Sequence, residues 1–135
     1  MLRAISLAEA FKYTAKPNPV VGALLVSKTG IISEGSHERF GENHAEINAI
    51  NNARKLLGKS FNSFEDLTLV CTLEPCSHFG KTGPCAEAIA QIGIKKVIIG
   101  ALDPNPLVAG KGIDLLIKND VKVEVGLCQE LVKEQ

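Results

Sequence analysis

The sequence has no surplus of charge of either sign, no long uncharged apolar run and no low-complexity segment. Its 135 residues include 15 lysines and arginines and 15 aspartates and glutamates, so the formal net charge is zero. A protein that holds a nucleic-acid backbone usually carries a basic surplus, because phosphate contacts supply most of its affinity. The charge balance therefore favours a small-molecule substrate over a nucleic acid.

The N-terminal segment lacks the features of a targeting sequence. Residues 1–13 contain Glu9 and Lys12, and they have neither a long uncharged run nor a small-residue cleavage site. We therefore expect no signal peptide and no membrane span. The four cysteines are more typical of reduced thiols or metal ligands than of a disulfide framework, so we expect a cytoplasmic protein.

The composition is that of a folded domain with its own hydrophobic core. Hydrophobic residues make up 45% of the chain, and glycine and proline occur at ordinary frequencies. We therefore expect residues 1–135 to form one domain. From residue 31 onward, β-branched apolar runs alternate with segments at helical spacing. This alternation predicts a mostly parallel sheet with helices on both faces.

The first strand is expected to run antiparallel to the second. A Ser-Lys-Thr-Gly turn at residues 27–30 predicts a hairpin between these two strands. The expected fold is α/β, with three α/β/α layers and a five-stranded mixed sheet whose first strand is antiparallel. Helices are expected at residues 2–12, 84–90 and 113–118, after an Asn43 N-cap, and before residue 133. Strands are expected at residues 20–26, 31–34, 67–73, 95–100 and 121–125.

Polar residues follow the predicted parallel strands where ligands usually bind, beyond the carboxyl ends. His37 and His44 follow the second strand, residues 74–85 follow the third, and residues 103–105 follow the fourth. Asn18 precedes the first strand, whose opposite direction brings its beginning to the same edge. We therefore expect all of these residues at one edge of the sheet.

One histidine, two cysteines and a carboxylate have the composition of a catalytic zinc site. Cys76 and Cys85 each follow a proline, and His44-Ala45-Glu46 lies about thirty residues upstream of Cys76. Three such ligands leave the fourth position of zinc open to water, whose pKa zinc lowers to about 7. Glu46 would then shuttle protons from water to a ring nitrogen and a leaving amine.

Each residue of this set also has a simpler interpretation. Glu46 alone fits the N3 position of a capping arrangement with Asn43, and His44 alone fits a surface or capping histidine. Cys76 and Cys85 alone are compatible with a structural zinc or with no metal. The combination of all four residues, with both cysteines near predicted helix starts, favours the catalytic site.

Two further sequence patterns do not indicate a functional site. Cys71 lies within a predicted strand and Cys128 within the predicted last helix, where a thiol usually acts as a small hydrophobic group. Gly80-Lys81-Thr82 resembles the end of a phosphate-binding loop, but Pro75 occupies the position of the first glycine that this motif requires.

The His-Xaa-Glu and Pro-Cys motifs resemble those of the cytidine-deaminase-type zinc deaminases. Members that act on nucleosides, nucleotides or tRNA mostly have two residues between the cysteines, whereas this chain has eight. The longer spacing resembles the diaminohydroxyphosphoribosylaminopyrimidine deaminases of riboflavin biosynthesis. The resemblance extends to Pro17-Asn18-Pro19-Val20-Val21-Gly22, Glu34-Gly35-Ser36-His37, Thr72-Leu73-Glu74-Pro75 and the segment from Asp103-Pro104-Asn105-Pro106 to Gly112.

This resemblance implies a cytidine-deaminase-like fold, a Zn²⁺ cofactor on His44, Cys76 and Cys85, and Glu46 as the proton shuttle. The implied reaction is hydrolytic deamination of 2,5-diamino-6-ribosylamino-4(3H)-pyrimidinone 5′-phosphate, with release of ammonia. The implied substrate pocket is lined by Asn18, His37, His78, Lys81, Asp103 and Asn105. Lys81 would hold the phosphate. The implied partners are this small molecule and a separate reductase for the next step. The sequence does not define the oligomeric state, but a small domain whose active-site rim consists of loops is compatible with a homo-oligomer in which a neighbouring copy completes the pocket.

Two other functions remain open from the residues. A deaminase of another base, nucleoside or tRNA adenosine is disfavoured by the neutral charge and the long cysteine spacing. A non-catalytic zinc module is disfavoured by Glu46, a carboxylate that metal binding does not need. The chain departs from the family at Gly83, where a proline is usual, and it ends at Gln135 without a reductase domain. A stand-alone deaminase, an isolated domain of a longer enzyme and a relative with a changed substrate all fit this length.

Overall fold

The computed structural model describes residues 1–58, 63–79 and 83–135. The helices of this part of the chain are α1 (Leu2–Glu9), α2 (Ala45–Leu57), α3 (Cys85–Gln91), α4 (Lys111–Lys118) and α5 (Gln129–Lys133). The strands are β1 (Gly22–Ser27), β2 (Gly30–Ser36), β3 (Thr68–Leu73), β4 (Lys96–Ala101) and β5 (Lys122–Val125). Within the described ranges, none of the helices combines the length and the apolar character needed to cross a bilayer.

The five strands form one mixed sheet in the order β2-β1-β3-β4-β5. Strand β1 is antiparallel to both of its neighbours, while β3, β4 and β5 are parallel to one another. The expected mixed sheet with an antiparallel first strand is therefore confirmed. The carboxyl ends of β2, β3 and β4 and the beginning of β1 lie at the same edge.

Successive side chains of each strand point to opposite faces of the sheet, so the strands contribute to two separate hydrophobic cores. Leu69 and Val97 face the larger core, which α2, α3 and α4 cover, whereas Val70 and Ile98 face the opposite side. The opposite core is smaller and contains residues of α1, including Ala4. Helix α5 packs on β4. Helices therefore cover both faces of the sheet, and the three-layer architecture is confirmed.

The start of α2 differs from the sequence prediction. His44, not Asn43, is the N-cap residue, and its side chain makes no capping hydrogen bond. The carbonyl of His44 accepts the first helical bond from the Asn48 amide at 3.0 Å. The predicted Asn43 cap is therefore wrong, because the Asn43 carbonyl instead lies 3.1 Å from Nδ1 of His37. Cys128 precedes α5 in a left-handed conformation, with φ of 59°, and is not within the helix.

Helix α2 lies unusually close to edge strand β2. Gly35 permits this approach, because a Cβ at that position would collide with the Ala45 carbonyl and the Ala49 amide. The buried Ser33 hydroxyl donates to the Ala49 carbonyl at 2.7 Å. Asn48 and Asn52 each donate from the side-chain amide to a β2 carbonyl at 2.8 Å. These contacts fix the beginning of α2 relative to the sheet.

Replacing Gly35 with alanine should separate α2 from β2. We expect Gly35→Ala to lower the free energy of unfolding by about 1–3 kcal/mol, the usual cost of overpacking. Urea unfolding of the protein at a fixed zinc concentration measures this difference. Gly83→Ala is the matched control, because its Cβ would contact only the Phe79 ring, at 4.0 Å. Equal unfolding midpoints for the two variants would contradict this account of α2 packing.

Candidate metal centre and substrate cavity

The three predicted metal ligands come together at the edge of the sheet. Nδ1 of His44 lies 3.5 Å from Sγ of Cys76 and 3.3 Å from Sγ of Cys85. All three ligand atoms lie within 4.8 Å of one another. Tetrahedral zinc with ordinary bond lengths separates such atoms by roughly 3.5–3.8 Å. One nitrogen and two sulfur donors at these separations fit a zinc ion with an open fourth position.

Different elements bring each ligand to this point. His44 precedes the first turn of α2, Cys76 follows β3 in an extended segment, and Cys85 is the first residue of α3. The Cys85 amide donates to Sγ of Cys76 at 3.3 Å, and the Ala86 amide donates to the Cys76 carbonyl at 3.1 Å. The expected helix start is thus correct for Cys85 and wrong for Cys76. Cys76 nevertheless receives an amide from the beginning of α3.

The hydrogen bonds within the cluster favour a thiolate on Cys76. The Cys85 thiol donates to Cys76 and lowers its pKa to about 4, with further contributions from His44 and the Cys85 amide. The same thiol contact, with burial, raises the pKa of Cys85. The hydrogen bond to Cys76 raises the pKa of His44. A thiolate beside a second cysteine is a good ligand set for a soft or borderline cation.

Glu46 lies next to the ligand cluster without belonging to it. Glu46 is only 3% exposed, and it lines the same cavity as His44 and Cys76. Burial raises the pKa of the Glu46 carboxyl to about 7. Because His44 is the N-cap of α2, Glu46 occupies the N2 position and does not form the capping arrangement with Asn43. A buried carboxyl group that titrates near neutrality is suited to proton transfer.

The cavity beside the cluster collects most of the predicted substrate residues. It is lined by Asn18, Pro19, Val21, His37, His44, Glu46, Leu73, Glu74, Cys76, His78 and Asp103. Of the predicted pocket residues, Asn18, His37, His78 and Asp103 are therefore brought together. Lys81 lies outside the described residues, and Asn105 is absent from the lining of this cavity.

Hydrogen bonds at both ring nitrogens fix the orientation of His37, which is 3% exposed. Its Nδ1 lies 3.1 Å from the Asn43 carbonyl, which can only accept, so Nδ1 carries the proton. Its Nε2 therefore accepts from the side-chain amide of Asn18, also at 3.1 Å. The His37 ring meets the His44 ring edge to face, with centroids 5.3 Å apart. These contacts fix the orientation of Asn18 in the cavity wall.

The loop after β4 contains two successive Asx turns. Oδ1 of Asp103 accepts from the Asn105 amide at 2.8 Å, and Oδ1 of Asn105 accepts from the Leu107 amide at 3.0 Å. Both side chains therefore stabilise turns within the loop itself. Asp103 also lines the cavity, whereas a substrate role for Asn105 stays a prediction.

Sequence reasoning assigned no role to Glu74, which is buried in the same cavity. Glu74 is 6% exposed, and its carboxylate accepts hydrogen bonds from four backbone amides of a distant segment. The available signal was an acidic residue at the end of a buried strand, directly before Pro75-Cys76. Burial of an unpaired carboxylate is costly, so such a residue needs nearby donors.

Comparison with known proteins agrees with this geometry. The model of the cytidine and deoxycytidylate deaminase zinc-binding region matches residues 1–101. The diaminohydroxyphosphoribosylamino-pyrimidine deaminase of Buchnera aphidicola from Schizaphis graminum is 50% identical, over 94% of this chain and 82% of its own. The matching zinc-binding region and the His/Cys/Cys cluster identify Zn²⁺ as the cofactor.

Two solved structures are similar to the whole fold. A deaminase/5-amino-6-(5-phosphoribosylamino)uracil reductase from Thermotoga maritima has a TM-score of 0.87 and 42% identity, over 99% of this chain and 37% of that chain. The chain thus spans little more than a third of that bifunctional protein. The Rib2 deaminase of Aspergillus oryzae, in complex with DARIPP, has a TM-score of 0.74 and 27% identity, over 92% of this chain and 80% of that chain.

Removing one ligand should abolish zinc binding. We expect Cys85→Ser to lose the zinc found with the wild type, because the remaining donors no longer form a three-ligand site. Zinc per chain after gel filtration measures the loss. Cys128→Ser is the control, because Cys128 lies outside the ligand cluster. Full zinc content in Cys85→Ser, or equal loss in both variants, would contradict the assigned ligands.

Zinc affinity should rise with pH. The raised pKa of Cys85 means that this thiol keeps its proton near neutral pH, and zinc must displace the proton to bind the thiolate. Each displaced proton makes the apparent affinity rise about tenfold per pH unit. Competition with a calibrated chelator between pH 6 and pH 8 measures this dependence. An affinity that stays constant across this range would show that binding displaces no proton.

Proposed function

Because the chain belongs to the cytidine and deoxycytidylate deaminase family, and to the diaminohydroxyphosphoribosylaminopyrimidine deaminases within it, we propose a function in riboflavin biosynthesis. The reaction is hydrolytic deamination of 2,5-diamino-6-ribosylamino-4(3H)-pyrimidinone 5′-phosphate. The single observation that carries the reaction class is the buried Glu46 beside the His44, Cys76 and Cys85 ligand atoms. The 50% identity to a deaminase of that name supports the choice of substrate.

The residues of the cavity divide the chemistry between them. His44, Cys76 and Cys85 would hold zinc, which when bound activates water at neutral pH. Glu46 accepts one proton of the attacking water and delivers it to a ring nitrogen, and it then moves the second proton, from the new hydroxyl group, to the leaving amine. A carbon–oxygen bond forms, the exocyclic carbon–nitrogen bond breaks, and ammonia leaves. Burial of Glu46 keeps bulk water from competing for this proton.

The rest of the cavity would bind and orient the pyrimidine and its ribosyl phosphate. Asn18, with its orientation fixed by His37, and the Asp103 carboxylate can pair with the amino and carbonyl groups of the ring. His78 is an exposed residue of the cavity lining. We assign the phosphate to Lys81 and the ribose to Asn105 as parts of this proposal.

The proposal also includes a partner enzyme, a cellular compartment and a second copy of the chain. The product of deamination must be reduced in the next step, and the related Thermotoga maritima protein carries both a deaminase and a reductase name. We propose that a reductase consumes the product in the cytoplasm. We also propose that a second copy of the chain completes the cavity, because its rim consists of loops.

Glu46→Gln should stop turnover and spare the metal. The amide cannot accept the proton of water, so we expect kcat to fall by roughly 10²–10⁴-fold. Zinc content should remain at the wild-type value, because Glu46 is not in the ligand cluster. Ammonia release from the pyrimidine phosphate, with zinc quantified in the same samples, measures both. Glu65→Gln, a change at an exposed position, is the control.

Other outcomes of this assay would redirect the proposal. Turnover of dCMP or cytidine in place of the pyrimidine phosphate would assign the chain to another substrate of the family. A zinc-loaded protein that deaminates none of these compounds would be a non-catalytic zinc module. Full activity of Glu46→Gln would refute the proposed proton shuttle.

A further inference from the structure

The carboxylate of Glu74 holds one distant segment through both of its oxygens. Oε2 accepts from the Asp103 amide at 3.3 Å and the Gly110 amide at 3.0 Å. Oε1 accepts from the Gly112 amide at 2.9 Å and the Ile113 amide at 3.4 Å. The segment of residues 103–113, called here the rim segment, is therefore closed at both ends by one side chain.

Glu74 also replaces the cap that α4 lacks. The N-cap residue of α4 is Gly110, which has a left-handed φ of 86° and no side chain to accept from the first amides. The amides of Gly112 and Ile113 belong to the first turn and point to the Glu74 carboxylate. A negative charge at a helix N-terminus is favourable, because it satisfies unpaired amides and interacts with the helix dipole.

The backbone of the rim segment packs tightly against the backbone next to the metal centre. A Cβ on Gly112 would collide with the Pro75 carbonyl, so α4 begins in direct contact with the residue before Cys76. Glu74 itself continues the ladder, because its amide donates to the Ala101 carbonyl at 3.0 Å. The rim segment is thus attached to the end of β3 immediately beside a zinc ligand.

Asp103 connects this attachment to the cavity. Its amide is held by Glu74, and its Oδ1 is occupied by the Asn105 amide. Its side chain lines the cavity with Glu46 and His78. We propose that Glu74 is a positioning residue, which acts through the rim segment to hold Asp103 toward the substrate. This inference rests on the proposed function, since it assigns Asp103 to substrate binding.

The variant Glu74→Gln tests the inference in the zinc-loaded full chain. The side-chain amide keeps one acceptor oxygen and turns an NH₂ group toward backbone donors, so hydrogen bonds of the rim segment are lost. We expect the amides of Gly110 and Gly112 to exchange with deuterium faster than in the wild type. We also expect KM to rise about tenfold, with kcat within about threefold and zinc content unchanged. Glu65→Gln is the matched control.

A double-variant comparison separates positioning from general structural support. If Glu74 acts through Asp103, the effect of Glu74→Gln on KM should largely disappear in an Asp103→Ala background. Equal KM effects in both backgrounds would refute the inference, as would unchanged exchange of the rim amides. Glu74→Asp, which keeps both oxygens, should give an intermediate KM. This variant decides the question if Glu74→Gln does not fold.

The substrates that the wild-type protein deaminates are sufficient to test the proposed function. If the wild type deaminates dCMP and not the pyrimidine phosphate, the proposed function fails and the KM comparison on dCMP decides the inference. If the wild type deaminates neither, both the proposed function and the inference are refuted.

Discussion

The close approach of α2 to β2 is the constraint on which the site depends. Because Gly35 has no side chain, the first turn of the helix lies directly against the strand. This contact places His44 and Glu46 at the carboxyl edge of the sheet, where β3 delivers Cys76. The alanines of the α2 inner face, Ala45, Ala49 and Ala53, are fully buried and keep the helix close along its length. The Glu46 carboxyl and one predicted metal ligand thus depend on a single packing contact.

Two buried carboxyl groups line the cavity, and their surroundings differ in the number of donors. Glu74 accepts hydrogen bonds from four backbone amides, so its side chain has a structural role. Glu46 has no such set of donors among the described residues, and burial dominates the shift in its pKa. Both oxygens of Glu74 are occupied in holding the backbone, whereas the Glu46 carboxyl is left to gain and lose a proton. The same residue type therefore performs two tasks within one cavity.

Local patterns in the sequence predict most of the fold. Continuous β-branched apolar runs locate the five strands, and the turn after β1 indicates its antiparallel direction. The His-Xaa-Glu and Pro-Cys motifs located the metal ligands, because donor type and spacing restrict the chemistry. The role of Glu74 was not predictable in this way, since its partners lie 29–39 residues along the chain. Asn43 failed as a cap because a ring 6 residues upstream, His37, engages its carbonyl.

The separation of the ligands along the chain has a consequence for assembly. His44 is 32 residues from Cys76 and 41 residues from Cys85, so an unfolded chain must close a long loop before the three donors can meet. Pairing of β1 with β3 closes much of this loop, since Ala23 lies opposite Cys71. The complete set of three donors therefore exists only in a chain that has formed this strand pairing, and metal binding stabilises that topology. Metal content then becomes a measure of how much of the chain has reached its native topology.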